Sequence, residues 1–252
     1  MRIADKLTLL FMKRMLAGPR GRSHFLSQVA DAENNDEGAV FAALLERAKE
    51  DEALHKLVAR HAADEERHAE LLGARALATG LPRAQVPEHL KLLRRLDEAL
   101  GGFFGQPLRS NEDVMKAYLL LQVIEERAVT QFPLFKEAFV GLDDETVKVF
   151  AEIEVDEERH LKYCQAVAKR YAPSEEVHEK TLQHFREVEA KVFAENSVRN
   201  MSYALEQGFL DEAPALVRFG WRLIQLYAAV VKPARPTPYM GVPVQRPILA
   251  TA

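Results

Sequence analysis

The five residues Asp-Glu-Glu-Arg-His occur twice in this chain, at 64–68 and again at 156–160, 92 residues apart. Within each copy a Glu-x-x-His pair puts a carboxylate and an imidazole one turn apart on one helix face. One such pair fills part of a metal's coordination sphere, and two facing pairs can hold two metals. Counting 32 residues back from Glu65 reaches Glu33, and 32 back from Glu157 reaches Glu125. The whole unit, a Glu followed 32 residues later by Glu-x-x-His, is therefore duplicated. A chain that uses it must bring four helices around one centre.

The remaining sequence agrees with a helical chain. It is rich in Ala, Leu, Glu, Lys and Arg, with 12 glycines in 252 residues, a composition that favours helix over sheet. Four long helices are predicted around the repeat, over 23–49 (A), 51–78 (B), 110–140 (C) and 143–172 (D). Gly80-Leu81-Pro82 ends helix B, Ser110 and Asp143 sit at cap positions, and Gly141 separates C from D. Tight turns join A to B and C to D. A connector of about 30 residues, with a short helix over 88–100, is long enough to cross the length of a helix that rises 1.5 Å per residue. Two further helices follow, over 174–207 and 214–231, and the tail from 232 carries five prolines in 21 residues, suggesting extended chain. The expected organisation is a basic segment over 1–22, a bundle over 23–172, additional helices over 173–231 and a Pro-rich tail over 232–252.

Charge and cysteine content narrow the function classes. Residues 1–22 carry six basic residues and one acid, and five basic residues follow Glu212, the last acid, leaving a net −14 for 23–212. An acidic body disfavours nucleic acid, whose phosphates need a basic face. One cysteine, Cys164, excludes an internal disulfide, a thiolate zinc site and an iron–sulfur cluster held by one chain. No apolar run reaches the length of a membrane span, and no secretory signal is evident, so a cytoplasmic protein is expected.

The helical pattern predicts that the repeated residues are buried. Leu54, Leu57, Val58, His61, Glu65, His68 and Leu72 follow 3-4 spacing on helix B. Phe150, Ile153, Glu157, His160, Leu161 and Cys164 do so on D, and Tyr118, Leu121, Glu125, Val129 and Phe132 on C. Ionisable groups on an apolar stripe are costly unless paired or metal-bound. The candidate metal ligands are thus Glu33, Glu65, His68, Glu125, Glu157 and His160, whose four carboxylates balance two divalent ions. Glu33 lies beside Asn34, Asn35, Asp36 and Gly38, a loop-like cluster; symmetry with the second half keeps it on a continuous helix, and Glu37, one turn on, is the alternative. His61 shares the face of Glu65 but its repeat counterpart is Ile153, so it reads as an outer partner of the ligands or a hydrogen-bonded core histidine. Tyr118 reads as packing or an electron-transfer residue, and Cys164 as a small core residue. The pairs Glu52/His55 and Glu175/His178 read as exposed coincidences; His55 is 13 residues before His68, about 220° around the helix.

The doubled Asp-Glu-x-Arg-His resembles the ferritin-like di-iron carboxylate oxidases and oxygenases, such as methane monooxygenase hydroxylase and the small subunits of ribonucleotide reductase. Residues 124–127, 142–144 and 156–160 are also similar to the second half of the tRNA-modifying di-iron hydroxylases. The resemblance covers 23–172 and implies an all-α, ferritin-like four-helix bundle with one long crossover, here with two extra helices. It also implies that Asp64 and Asp156 orient histidine ligands and that Arg67 and Arg159 pair with carboxylates around the site.

The function expected is an O2-dependent di-iron hydroxylase or oxidase of a small organic substrate, with Glu65 and Glu157 bridging two Fe ions. Manganese or a mixed Mn/Fe pair suits the same donors. The enzyme alternative is a rubrerythrin-like peroxide reductase, which needs an external electron donor because the four cysteines of a rubredoxin centre are absent; the non-enzyme alternative is a ferritin-like ferroxidase or iron-storage protein. A homodimer is the expected assembly. The sixth helix, with Arg218, Arg222 and Gln225 on an apolar background that includes Trp221, is expected to pack on the bundle or a dimer partner, which is favoured over contact with a membrane surface.

Overall fold

The computed structural model describes residues 3–34, 38–102, 104–210 and 214–230. All regular structure among them is helical: α1 (Ile3–Leu16), α2 (Pro19–Asn34), α3 (Gly38–Arg47), α4 (Glu52–Leu77), α5 (Leu92–Ala99), α6 (Asn111–Phe139), α7 (Asp144–Tyr171), α8 (Glu175–Glu206) and α9 (Ala215–Val230), with a 3₁₀ turn at Glu88–Leu90. The long helices start where short polar side chains satisfy their free N–H groups. Asp51 accepts from the Leu54 N–H at the start of α4, and Ser174 from the Val177 N–H at the start of α8. Ser110 and Asp113 form a reciprocal capping box on α6. Asp143 caps α7 through the Thr146 N–H, and Arg75 of α4 grips the same carboxylate at 2.8 and 2.7 Å.

The tight turn between α6 and α7 passes through Gly141 at φ +75°, a conformation in which a Cβ would be strained. Helices α2 and α3 together, α4, α6 and α7 pack around one centre, and the segment between α4 and α6 forms the long connection. Gly21 permits the close crossing of α2 over the end of α1, because a Cβ there would lie 2.0 Å from the Met15 carbonyl oxygen.

The predicted helices B, C and D match α4, α6 and α7 to within a residue or two. Of helix A the described residues form α2, which starts earlier than drawn, at Pro19, and α3, which ends at Arg47. Glu33 stays within the last turn of α2. Residues 35–37, and with them Glu37, lie outside the described residues, as does the Pro-rich tail. The basic segment 1–22 gains an element, α1, packed on α2 and α6. The connector helix divides into the 3₁₀ turn and α5, both seated against α8.

Two apolar clusters fill the interior. One gathers Val40, Phe41 and Leu44 of α3 with Leu54, Val58, Tyr118, Cys164 and, from α8, Phe185. The other gathers Leu16 of α1 and Leu26 of α2 with Leu72, Phe132, Phe139, Phe150 and, from α9, Trp221. On α4, α6 and α7 alike, the sequence between the two clusters is where the ionisable residues fall. α8 lies along α6, and α9 covers α1 and α8, with Trp221 edge-on to Phe11 at 5.1 Å.

Asp143→Ala removes the α7 cap and leaves Arg75 without its carboxylate. It is expected to lower stability by about 2 kcal/mol in denaturant unfolding, with Asp143→Asn intermediate because it keeps a capping oxygen.

Candidate metal centre

Between the two apolar clusters α4 projects His61, Glu65 and His68 from successive turns of one face, and all three are buried. α7 projects Glu157 and His160 from the opposite side, α6 supplies Glu125, and the end of α2 supplies Glu33. All six sequence-predicted ligands therefore meet at one place. Their donor atoms fall into two groups of four, each able to hold a metal ion: Glu33, Glu65, His68 and Glu157; and His61, Glu65, Glu125 and His160. Glu65 belongs to both groups. Glu157 also faces both, with carboxylate oxygens 3.2 Å from Nδ1 of His68 and 3.5 Å from Nδ1 of His160.

His61 is the correction to the sequence reading. Its Nε2 lies 2.9 Å from Oε1 of Glu125 and 3.1 Å from Oε1 of Glu65, so it stands among the donors rather than behind them. Its position one turn before Glu65 on the inner face carries that signal. Repeat symmetry hides it, because the matching residue on α7, Ile153, packs in the apolar cluster instead. The two groups are thus unlike: one has two imidazoles and two carboxylates, the other one imidazole and three carboxylates.

Several of these atoms face each other without hydrogen-bond geometry. Both ring nitrogens of His61, Nδ1 of His68 and of His160, and Oε1 of Glu65 and of Glu157 make no hydrogen bond among the described residues. Buried polar atoms left unsatisfied cost about 1–3 kcal/mol each. All but Nδ1 of His61 converge here, and cations bound among them would satisfy them together.

The rear of each histidine is held from the opposite helix. Asp156 of α7 lies 3.3 Å from Nε2 of His68, and Asp64 of α4 lies 3.3 Å from Nε2 of His160. An Nε2–H donated to the aspartate leaves the Nδ1 lone pair facing the centre, which is the tautomer a metal needs. The aspartates are held in turn by arginines: Arg159 donates to Asp64 at 2.7 Å, and Arg67 pairs with Asp156 and with Glu152. The roles that the resemblance gave to Asp64, Asp156, Arg67 and Arg159 thus correspond to contacts crossing between α4 and α7. Of the pairs read as coincidences, His55 is exposed, but His178 is buried on α8; its neighbour Glu175 points outward to Lys169, so the two share no site.

Electrostatics show what the centre does without a cation. Burial would raise the Glu65 carboxyl, yet the imidazoles of His160, His61 and His68 hold it well below the usual range. Burial and the Glu65 charge push Glu157 upward, but Glu125, His160 and His68 outweigh them and leave it at about 2. Glu33 is pushed well above the usual carboxylate range by burial, with the charges of Glu65 and Glu157 adding to the effect. Burial opposes charge on the histidines too, but the facing carboxylates raise His160 to about 9 and His68 further. In the metal-free protein, protons supply part of the positive charge that a metal would bring.

Outside the donors, Tyr163 lies edge-on to His61 at 5.3 Å between ring centroids, its hydroxyl buried without a hydrogen-bond partner among the described residues. It sits one turn past His160, where Cys164, a buried core residue as expected, draws more attention in the sequence. A second polar layer joins α6 to α8: Arg186 grips buried Glu126, and Arg127 grips buried Glu189 at 2.7 and 2.8 Å. Sequence reasoning missed it because nothing in the repeat points to α8.

Imidazolium cannot ligate, so metal binding must displace the protons on His68 and His160. Apparent affinity is expected to rise with pH through about 9, the level to which His160 is raised, and to go on rising above it because His68 is raised further. Calorimetry in buffers of different ionisation enthalpy should record proton release at neutral pH. His61→Ala is expected to weaken one metal more than the other. Asp64→Asn and Asp156→Asn should each cost about 10–100-fold in affinity by loosening a histidine.

No protein-family model, no curated protein and no solved structure matches this chain, so its chemistry is read from the side chains themselves.

Proposed function

We propose that this chain is a ferritin-like di-iron carboxylate oxidoreductase that uses O2 to hydroxylate or oxidise a small organic substrate. The observation that carries the reading is the pair of four-donor groups sharing Glu65, buried between two apolar clusters. Four carboxylates and three imidazoles suit iron, and manganese as well. A pair of irons bound by these groups would supply the chemistry for two-electron reduction of O2. A hydroxylation balances when the substrate C–H and O2 take two electrons and two protons from an external donor and yield the alcohol and water.

The residues around the centre have distinct tasks in this reading. Glu65 and Glu157 would face both metals, Glu33 and His68 would complete the protein ligands of one, and His61, Glu125 and His160 those of the other. Asp64 and Asp156 keep both Nδ1 atoms aimed inward. The apolar clusters keep bulk water from the centre, which strengthens each charge interaction inside it. Glu33, at 11% side-chain exposure, is the most open of the donors, against 6% or less for the others with a stated side-chain value.

Anaerobic loading with Fe(II) followed by metal analysis is expected to give about two irons per chain. The loaded protein should consume O2 in the presence of a reductant. His68→Ala and His160→Ala should each lower the iron content, and Glu33→Ala should impair the pair. Full occupancy in the double histidine variant would end the di-metal reading. A large, variable iron load in a cage-sized particle would replace it with storage, and turnover with peroxide but not O2 would replace it with peroxide reduction.

A further inference from the structure

α9 has two apolar faces, and the described residues cover one. Trp221 and Val217 turn inward, against Phe11 of α1 and the cluster beneath. Leu216, Phe219, Leu223 and Leu226 recur at helical spacing on another face and are exposed, Leu216 at 80% and Phe219 at 58%. Leu10 of the neighbouring α1 is exposed as well. Arg218 and Arg222 run between the two faces. A surface row of large apolar residues on one helix marks an interaction site more often than scattered exposed leucines do.

Charge selects the occupant. No acid follows Glu212, while Arg218, Arg222, Lys232, Arg235 and Arg246 do. α1, which α9 packs against, belongs to the segment 1–22 with its six basic residues and one acid, and Lys6, Arg14 and Arg20 there are exposed. The apolar row therefore lies on a helix that carries Arg218 and Arg222 and no acid, packed on the basic segment of a chain whose middle is strongly acidic. Pairing α9 with α9 of a second copy would set like charges against each other. An anionic bilayer offers hydrocarbon to the leucines and phosphates to the arginines and lysines. Among the described residues no helix is long and apolar enough to cross a membrane, so the contact would lie in the plane of the surface.

We infer that the outer face of α9, with the basic residues around it, docks the protein on an anionic lipid bilayer. This inference does not depend on the metal reading. It differs from the sequence expectation, which favoured a bundle or dimer partner: the inner face meets that expectation, and the outer face is left over.

The test is flotation of the full chain with phosphatidylcholine vesicles, with and without about 30 mol % phosphatidylserine. Binding is expected only with the anionic vesicles and should weaken as salt is added. Phe219→Glu and Leu223→Glu should each reduce partitioning at least about tenfold, and Arg222→Ala about fivefold. Leu216→Ser, at a position too exposed to matter for folding, should also weaken binding, and it keeps the test valid if a Glu variant unfolds. Absence of flotation with anionic vesicles overturns the inference, as does equal binding to both vesicle types. A dimer in sedimentation that Phe219→Glu splits into monomers also overturns it, because a second copy then covers the face. Unchanged metal content in the variants would separate this result from any failure of the metal centre.

Discussion

Burying four carboxylates and three imidazoles in one layer of the interior is the constraint on which the rest of this structure depends. Like charges this close, removed from water, are strongly destabilising unless something positive joins them. Without a metal, protons on His68 and His160 answer part of that need, which is why both are raised. Divalent ions would answer more of it and would also satisfy the ring nitrogens and carboxylate oxygens that lack partners. The same layer costs the fold an uninterrupted core. Apolar clusters above and below it must hold the helices in register instead.

That register is fixed by contacts that cross between helices. Asp64 of α4 holds His160 of α7, and Asp156 of α7 holds His68 of α4, with Arg67 and Arg159 closing the lattice. Each string of five residues is thus completed by the other, and neither helix could orient its own histidine alone. On the other side of the centre, the buried Glu126–Arg186 and Arg127–Glu189 pairs tie α6 to α8 immediately beside Glu125. Breaking one partner of such a pair strands a buried charge, so α8 is bound into the centre's surroundings and is more than an appendage.

The asymmetry between the two halves has chemical consequences. Two cations held by these unlike groups would not need to share one affinity, and His61 is the residue that makes the groups differ. Tyr163, near His61 and His160, adds a phenol whose proton is firmly held, because burial pushes it well above its ordinary value.

The sequence by itself determined the all-helical fold, the bounds of α4, α6 and α7, and the six residues Glu33, Glu65, His68, Glu125, Glu157 and His160. The bounds are local properties, since caps and glycines stop helices and 3.6-residue periodicity chooses the buried face, whereas Glu33 was found only through the repeat. It also placed Asp64, Asp156, Arg67 and Arg159 near the site, through resemblance, without saying which histidine each aspartate holds. Only the tertiary structure decided that the aspartates act across helices and that His61 stands among the candidate donors while Ile153 does not. It also decided that α8 contributes buried charges and that the described residues leave one face of α9 uncovered. Periodicity says which face of a helix turns inward; which neighbour meets that face, and whether any does, depends on how helices distant in sequence pack.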